Sequence, residues 1–161
     1  VTNENHSQTA AFIWSVADLL RGDFKQSQYG RIILPFTLLR RMECVLESTK
    51  ERVTAAAQAH VDKPEAVREM LLLREAGQQF FNVSPLSLAT LSDTQTMDDL
   101  TSYVQSFSKE AREIFEHFHF EDFVEQLNAN NLLYQVVQRF AGIDLSPKAI
   151  SNFGMGIILK S

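Results

Sequence analysis

The stretch from residue 12 to residue 53 most constrains what this chain can fold into, because apolar residues recur at helical spacing through two successive segments. Phe12, Ile13, Val16, Leu19 and Leu20 stand three and four apart and share one helix face. Gly22 follows Arg21 as a stop, since a residue without Cβ turns left-handed easily and lets the last carbonyls find donors. After a polar connection, Asp23 to Gln28, a longer helix takes over. Ile32, Phe36, Leu39, Met42 and Leu46 form its seam, and Ile33, Leu38 and Val45 widen it. A stripe that wide fits a helix packed on more than one neighbour. Pro35 removes an amide donor and crowds the carbonyl of Arg31, which predicts either a kink or a helix proper that starts near Pro35. Beyond Glu43 the pattern turns hydrophilic, so the second half of this helix, to Gln58, is expected to project into solvent.

The remainder repeats the helical signature without adding a sheet. Asp62-Lys-Pro-Glu65 reads as a helix start, with Asp62 as cap and Pro64 in the first turn, and Gly77 as the end. Phe80 to Val83 is the one short piece that reads as extended. Thr96-Met-Asp-Asp99 opens a helix through Phe107, and Ser108 caps the next, Lys109 to His117. Phe118 to Leu127 and Leu132 to Phe140 give two more, the latter stopped by Gly142. Ser146-Pro147 is expected to open a last helix with Ile150 and Phe153 on its inner face. The fold class is all-α: a bundle-like domain of about six to nine helices, in one domain spanning residues 1–161.

Composition removes several classes of function. No stretch approaches the ~20 apolar residues of a membrane span, and the polar first residues do not form a secretory leader. The single cysteine, Cys44, cannot form an internal disulfide, which fits a reducing cytoplasm, and its helical position predicts a packed thiol rather than a reactive one. A net charge of −5 argues against a free-standing nucleic-acid binder. The charge is uneven, however. Arg21, Lys25, Arg31, Arg40 and Arg41 stand against Asp23 alone between residues 21 and 41, so the acidic excess lies elsewhere. That cluster reads either as an edge that touches DNA while a partner holds the domain in place, or as a solvated helix face with pairs such as Arg40–Glu43. Arg41, three after Leu38 and four before Val45, borders the seam and is expected to anchor the helix; Arg40 is then the contact residue.

Other constellations favour packing over chemistry. His117 and His119 are two apart, which on a helix turns them away from each other, so no metal site is expected. The phenylalanines around Phe115 to Phe123 lie in a Glu-rich run without interleaved cations, which fits a core better than a base-stacking platform. Gly154-Met-Gly156 lacks the strand–turn–helix setting of a nucleotide loop. Hence no catalytic, cofactor-binding or metal residue is assigned.

Ile13-Trp-Ser-Val-Ala-Asp-Leu-Leu-Arg-Gly and Tyr29-Gly-Arg-Ile-Ile-Leu-Pro-Phe-Thr-Leu-Leu-Arg-Arg-Met-Glu-Cys-Val-Leu resemble the helical N-terminal region of type I restriction-modification methyltransferase (M) subunits. The similarity runs on through Ile150-Ser-Asn-Phe-Gly-Met-Gly, and its most specific part is Leu-Pro-Phe-Thr-Leu-Leu-Arg-Arg. The resemblance implies adenine-N6 methylation with S-adenosylmethionine in the full-length protein, in the cytoplasm, beside a DNA-specificity subunit and a restriction subunit. It makes Lys25, Arg31, Arg40 and Arg41 the candidate contacts to duplex DNA, weak in the isolated domain. The Asn/Asp-Pro-Pro-aromatic motif that holds a flipped adenine in such enzymes is missing, because Pro35, Pro64, Pro85 and Pro147 each stand alone. The Gly-rich turn for S-adenosylmethionine is missing as well, so this chain is expected to be inactive by itself and to need no cofactor. Ile157-Ile-Leu-Lys-Ser161 departs from the amphipathic helix that usually comes next in the family, as expected of a truncated reading frame or an arbitrary chain edge. The alternative function is a helical protein–protein interaction module with no nucleic-acid role.

Overall fold

The computed structural model describes residues 2–152 and 154–156, and among them the chain forms eight α-helices and no sheet. They are α1 (Thr2–Leu20), α2 (Gln26–Leu46), α3 (Lys50–Ala59), α4 (Glu65–Ala76), α5 (Thr96–Gln105), α6 (Lys109–His117), α7 (Phe120–Ala129) and α8 (Leu133–Ala141). The all-α expectation holds. The extended piece at Phe80–Val83 reduces to one antiparallel bridge, Asn82 with Phe107, closed by Val83 N–H to the Ser106 carbonyl at 3.0 Å and Ser108 N–H to the Phe81 carbonyl at 2.9 Å.

Helix α2 is the axis of the domain and packs on α1, α7 and α8. Its seam residues Ile32, Ile33, Phe36, Leu39, Met42 and Leu46 are all buried. Phe36 meets Phe120 of α7 edge-on at 4.9 Å and stacks on Phe140 of α8 at 5.4 Å. Phe12 of α1 sits against Phe140, while Phe120, Phe115, Phe107 and Tyr103 continue the ring contacts through α6 to α5. One ladder of aromatic rings thus ties six helices together, each pair adding about 0.5–1.5 kcal/mol beyond the area it buries. The phenylalanine-rich region is core.

Several boundaries differ from those expected of the local pattern. Helix α1 reaches back to Thr2, ten residues before the apolar pattern starts, with Thr9 buried. Helix α2 runs through Pro35 without ending, so the helix does not start there; the Thr37 hydroxyl donates back to the Ile33 carbonyl at 2.8 Å. Its long continuation is interrupted by a 3₁₀ turn at Glu47–Thr49, where Glu47 N–H turns to the Cys44 carbonyl and the Thr49 hydroxyl reaches the Leu46 carbonyl at 3.3 Å. Beyond that turn the chain is no lone helix in solvent: α3 pairs with α4 as a hairpin, burying Val53, Ala57, Leu72 and Ala76. Helix α4 starts at Glu65 with Pro64 as N-cap and without the Asp62 cap, and it ends at left-handed Gly77.

The largest difference is at Ser146-Pro147, which opens turns instead of a helix. Asp144 Oδ1 accepts the Ser146 amide at 2.9 Å, and Ala149 N–H bonds the Ser146 carbonyl at 3.1 Å. The Ile150 amide still makes the first helical bond, to the Ser146 carbonyl at 2.9 Å, but the Ile150 carbonyl that would carry the helix on is bound by Arg41, and helical backbone is found again at Asn152 and residues 154–156. Phe153 lies outside the described residues.

Candidate functional site

The junction between α2 and the segment from Ile143 to Met155 holds Arg41, the one charged side chain that is buried among the described residues. Helix geometry starts it: Arg40 and Arg41 are neighbours about 100° apart, so their guanidinium groups leave α2 in different directions. Arg40 Nε donates to the Ile143 carbonyl at 2.7 Å, and its Nη1 donates to Glu43 Oε1 at 2.6 Å, the i,i+3 pair visible in the sequence. Arg41 is 7% exposed and turns inward. Its Nη1 donates to the carbonyls of Leu145, at 2.9 Å, and Ile150, and its Nη2 to Asn152 Oδ1 at 2.8 Å. Burial pulls the Arg41 pKa below its ordinary value. The group remains a cation, because guanidinium holds its proton far above neutral pH. Three oxygens, two of them main-chain, replace its hydration.

Around this clamp lies a second, smaller apolar cluster of Cys44, Leu145, Ile150 and Met155, flanked by Ile143 and Ala149. Cys44 is buried there, and burial pushes its thiol above the usual range. This is packing chemistry, since a nucleophilic cysteine needs its thiolate favoured.

Glu43 is the hub on the other side. Its Oε2 accepts the Tyr103 hydroxyl at 2.8 Å and the Leu88 amide at 2.9 Å, while Oε1 holds Arg40. Burial first, then the Glu43 charge, raises the Tyr103 phenol well above its ordinary pKa. Lys50 stands over the Tyr103 ring at 5.6 Å and donates to the Ser84 carbonyl at 2.8 Å; burial lowers its pKa, opposed by Glu43. A carboxylate with three donors from α2, α5 and the 3₁₀ turn Leu88–Thr90 pins those elements together.

The four candidate DNA contacts therefore do not share one environment. Arg40 and Arg41 direct their bonds into the domain. Lys25 and Arg31, at the N-cap and in the first half of α2, are exposed and form no ion pair among the described residues. Arg21 pairs with Asp18 at 2.8 Å on the surface. No group of three or more His, Cys, Asp and Glu able to hold a metal occurs among the described residues, although the chain does break between His117 and His119.

A family model described as the HsdM N-terminal domain matches residues 9–140, from within α1 through nearly all of α8. The chain belongs to that family. It is the N-terminal domain of the type I restriction-modification methyltransferase M subunit. Compared with curated proteins and with solved structures, the chain has no significant match in either set. Relative to the HsdM N-terminal match, the clamped segment 143–152 lies just beyond it, while Arg40, Arg41 and Glu43 lie inside. Sequence reasoning missed Glu43 as a hub with Tyr103 and Lys50 around it, and Asn152 as a partner of Arg41. Only the Arg40–Glu43 spacing could have pointed to it.

No helix among the described residues is long and apolar enough to cross a membrane.

Proposed function

We propose that this domain does no chemistry of its own and serves a type I adenine-N6 methyltransferase subunit by helping it assemble with the specificity and restriction subunits and engage duplex DNA. S-adenosylmethionine binds elsewhere in the full-length protein, and the assembly works in the cytoplasm. The observation that carries this reading is the division of the basic residues: Lys25 and Arg31 stay exposed at one end of α2, while Arg40 and Arg41 bind main-chain oxygens. Lys25 and Arg31 are thus the phosphate contacts, and the arginine pair anchors the helix that presents them. Two contacts on a chain of net charge −5 give weak binding without sequence preference.

The alternative, an interaction module without a nucleic-acid role, is favoured by Trp14, 66% exposed on α1. Interfaces are enriched in such side chains. The discriminating experiment is Lys25→Glu with Arg31→Glu in the assembled methyltransferase, measuring DNA affinity across salt concentration. Each lost phosphate contact should flatten the log–log salt slope by about 0.9. An unchanged slope with wild-type methylation transfers the assignment to the interaction module. The isolated chain should show no saturable S-adenosylmethionine binding by calorimetry.

A further inference from the structure

Helices α5, α6 and α7 enclose a cleft of about 200 Å³ whose floor is Leu100, Val104, Phe115, Phe120 and Val124. A second hollow of about 240 Å³ adjoins it, sharing Thr101, Glu121 and Val124 and reaching Asp98 and Glu125. The cleft exists because α6 and α7 are set apart at Phe118–His119, where His119 takes a left-handed φ of 55°. The floor is apolar, but the rim is not. Asp98, Glu116, Glu121, Asp122 and Glu125 line the two hollows against Arg112 and His119. None of these carboxylates forms an ion pair among the described residues, in contrast to Glu43, which is fully engaged.

We propose that this groove is a docking site for a basic amphipathic segment of a partner protein, which seats one apolar side chain on the floor and sets Lys or Arg residues against the rim. The volume fits one large side chain better than a whole helix face, so charge must supply much of the recognition. The same field repels phosphate, which makes this face a protein-binding surface and separates it in kind from the Lys25–Arg31 edge. Charge complementarity of this sort acts on both encounter rate and partner choice.

The test uses the full chain and three labelled probes: a short peptide of Leu and Lys at helical spacing, its Leu and Glu counterpart, and a duplex DNA. The Leu/Lys peptide should bind, and the other two should not compete for its site. Two kinds of variant separate the groove from general attraction. Glu116→Lys with Glu125→Lys cancels the net negative charge of the rim, leaving three carboxylates against three cations with His119 neutral; neither residue lies in the first turn of its helix, so both helices tolerate the cations. Affinity should fall at least about tenfold, equivalent to 1.4 kcal/mol. Thr101→Trp fills the exposed mouth shared by the two hollows without changing charge, and it should weaken the peptide comparably. The control Glu47→Lys with Asp62→Lys makes the same change in net charge at exposed positions outside the groove and should leave affinity near wild type. Equal losses in rim and control variants, or wild-type affinity in Thr101→Trp, overturn the proposal. Self-association of the free chain that Thr101→Trp abolishes overturns it in favour of a second copy as occupant.

Discussion

Replacing Arg41 by alanine removes the donor that satisfies two main-chain carbonyls, Leu145 and Ile150, and the exposed amide of Asn152. Asn152 can rebond to water, so its loss contributes little. Each buried carbonyl left without a partner costs about 1–3 kcal/mol. Water reaches both once the segment loosens, which favours the lower part of that range, and the sum comes to about 3 kcal/mol. In a domain of this size such a loss lowers the melting temperature by about 6–12 °C. The damage should be local before it is global, because the small cluster of Cys44, Leu145, Ile150 and Met155 depends on the segment that Arg41 holds. Amide exchange is the decisive assay. The Ile150 amide is bonded to the Ser146 carbonyl and the Met155 amide to the Ser151 carbonyl, each at 2.9 Å, and both should lose protection well before the amides of α2 and α8. Arg41→Lys should recover less than half the loss, since an ammonium cannot span three acceptors in the plane of a guanidinium. An Arg41→Ala variant within about 0.5 kcal/mol of wild type, with unchanged exchange at Ile150 and Met155, would refute the clamp.

Three further outcomes rest on the same junction. Glu43→Gln puts an amide donor where three donors already converge, and it should destabilise the domain by about 2–4 kcal/mol in urea unfolding, at the upper end of values for buried polar groups. Tyr103 has a folded pKa raised above its unfolded value near 10, so its contribution is complete below that value and is lost as pH climbs through the folded pKa. Stability should therefore fall with alkaline pH above about 10, and Tyr103→Phe should flatten that fall while costing about 1 kcal/mol at neutral pH. Cys44 should react slowly with a thiol reagent in the native chain, because it is buried with a raised pKa, and much faster in Arg41→Ala. Equal rates in the two proteins would separate the thiol from the clamp.

The local pattern of the chain by itself determined that it is helical, where most helices lie and which residues of α2 face inward. Those properties come from the 3.6-residue period and from stops such as Gly22 and Gly77, which act over a few positions; the hydroxyl of Ser108, the N-cap of α6, instead accepts the Phe81 amide from 27 positions away. It also determined the family, through a run of residues in α2. The Arg40–Glu43 pair was legible for the same reason: both ends lie within one turn. The surroundings of that pair were not. Arg40 finds Ile143 across 103 positions, Arg41 finds Leu145 and Ile150 across 104 and 109, and Glu43 finds Tyr103 across 60. No periodicity carries information over such separations. The same distance explains the misread last helix. Ser146-Pro147 is a good local start and makes the first helical bond, but the Ile150 carbonyl that the next turn needs is held by an arginine that the local sequence does not contain. The pattern of α2 already put Arg41 at the edge of the seam as an anchor; tertiary structure alone decided that Arg40 turns to the Ile143 carbonyl beside it while Lys25 and Arg31 stay at the surface, because a guanidinium goes wherever buried oxygens lack donors.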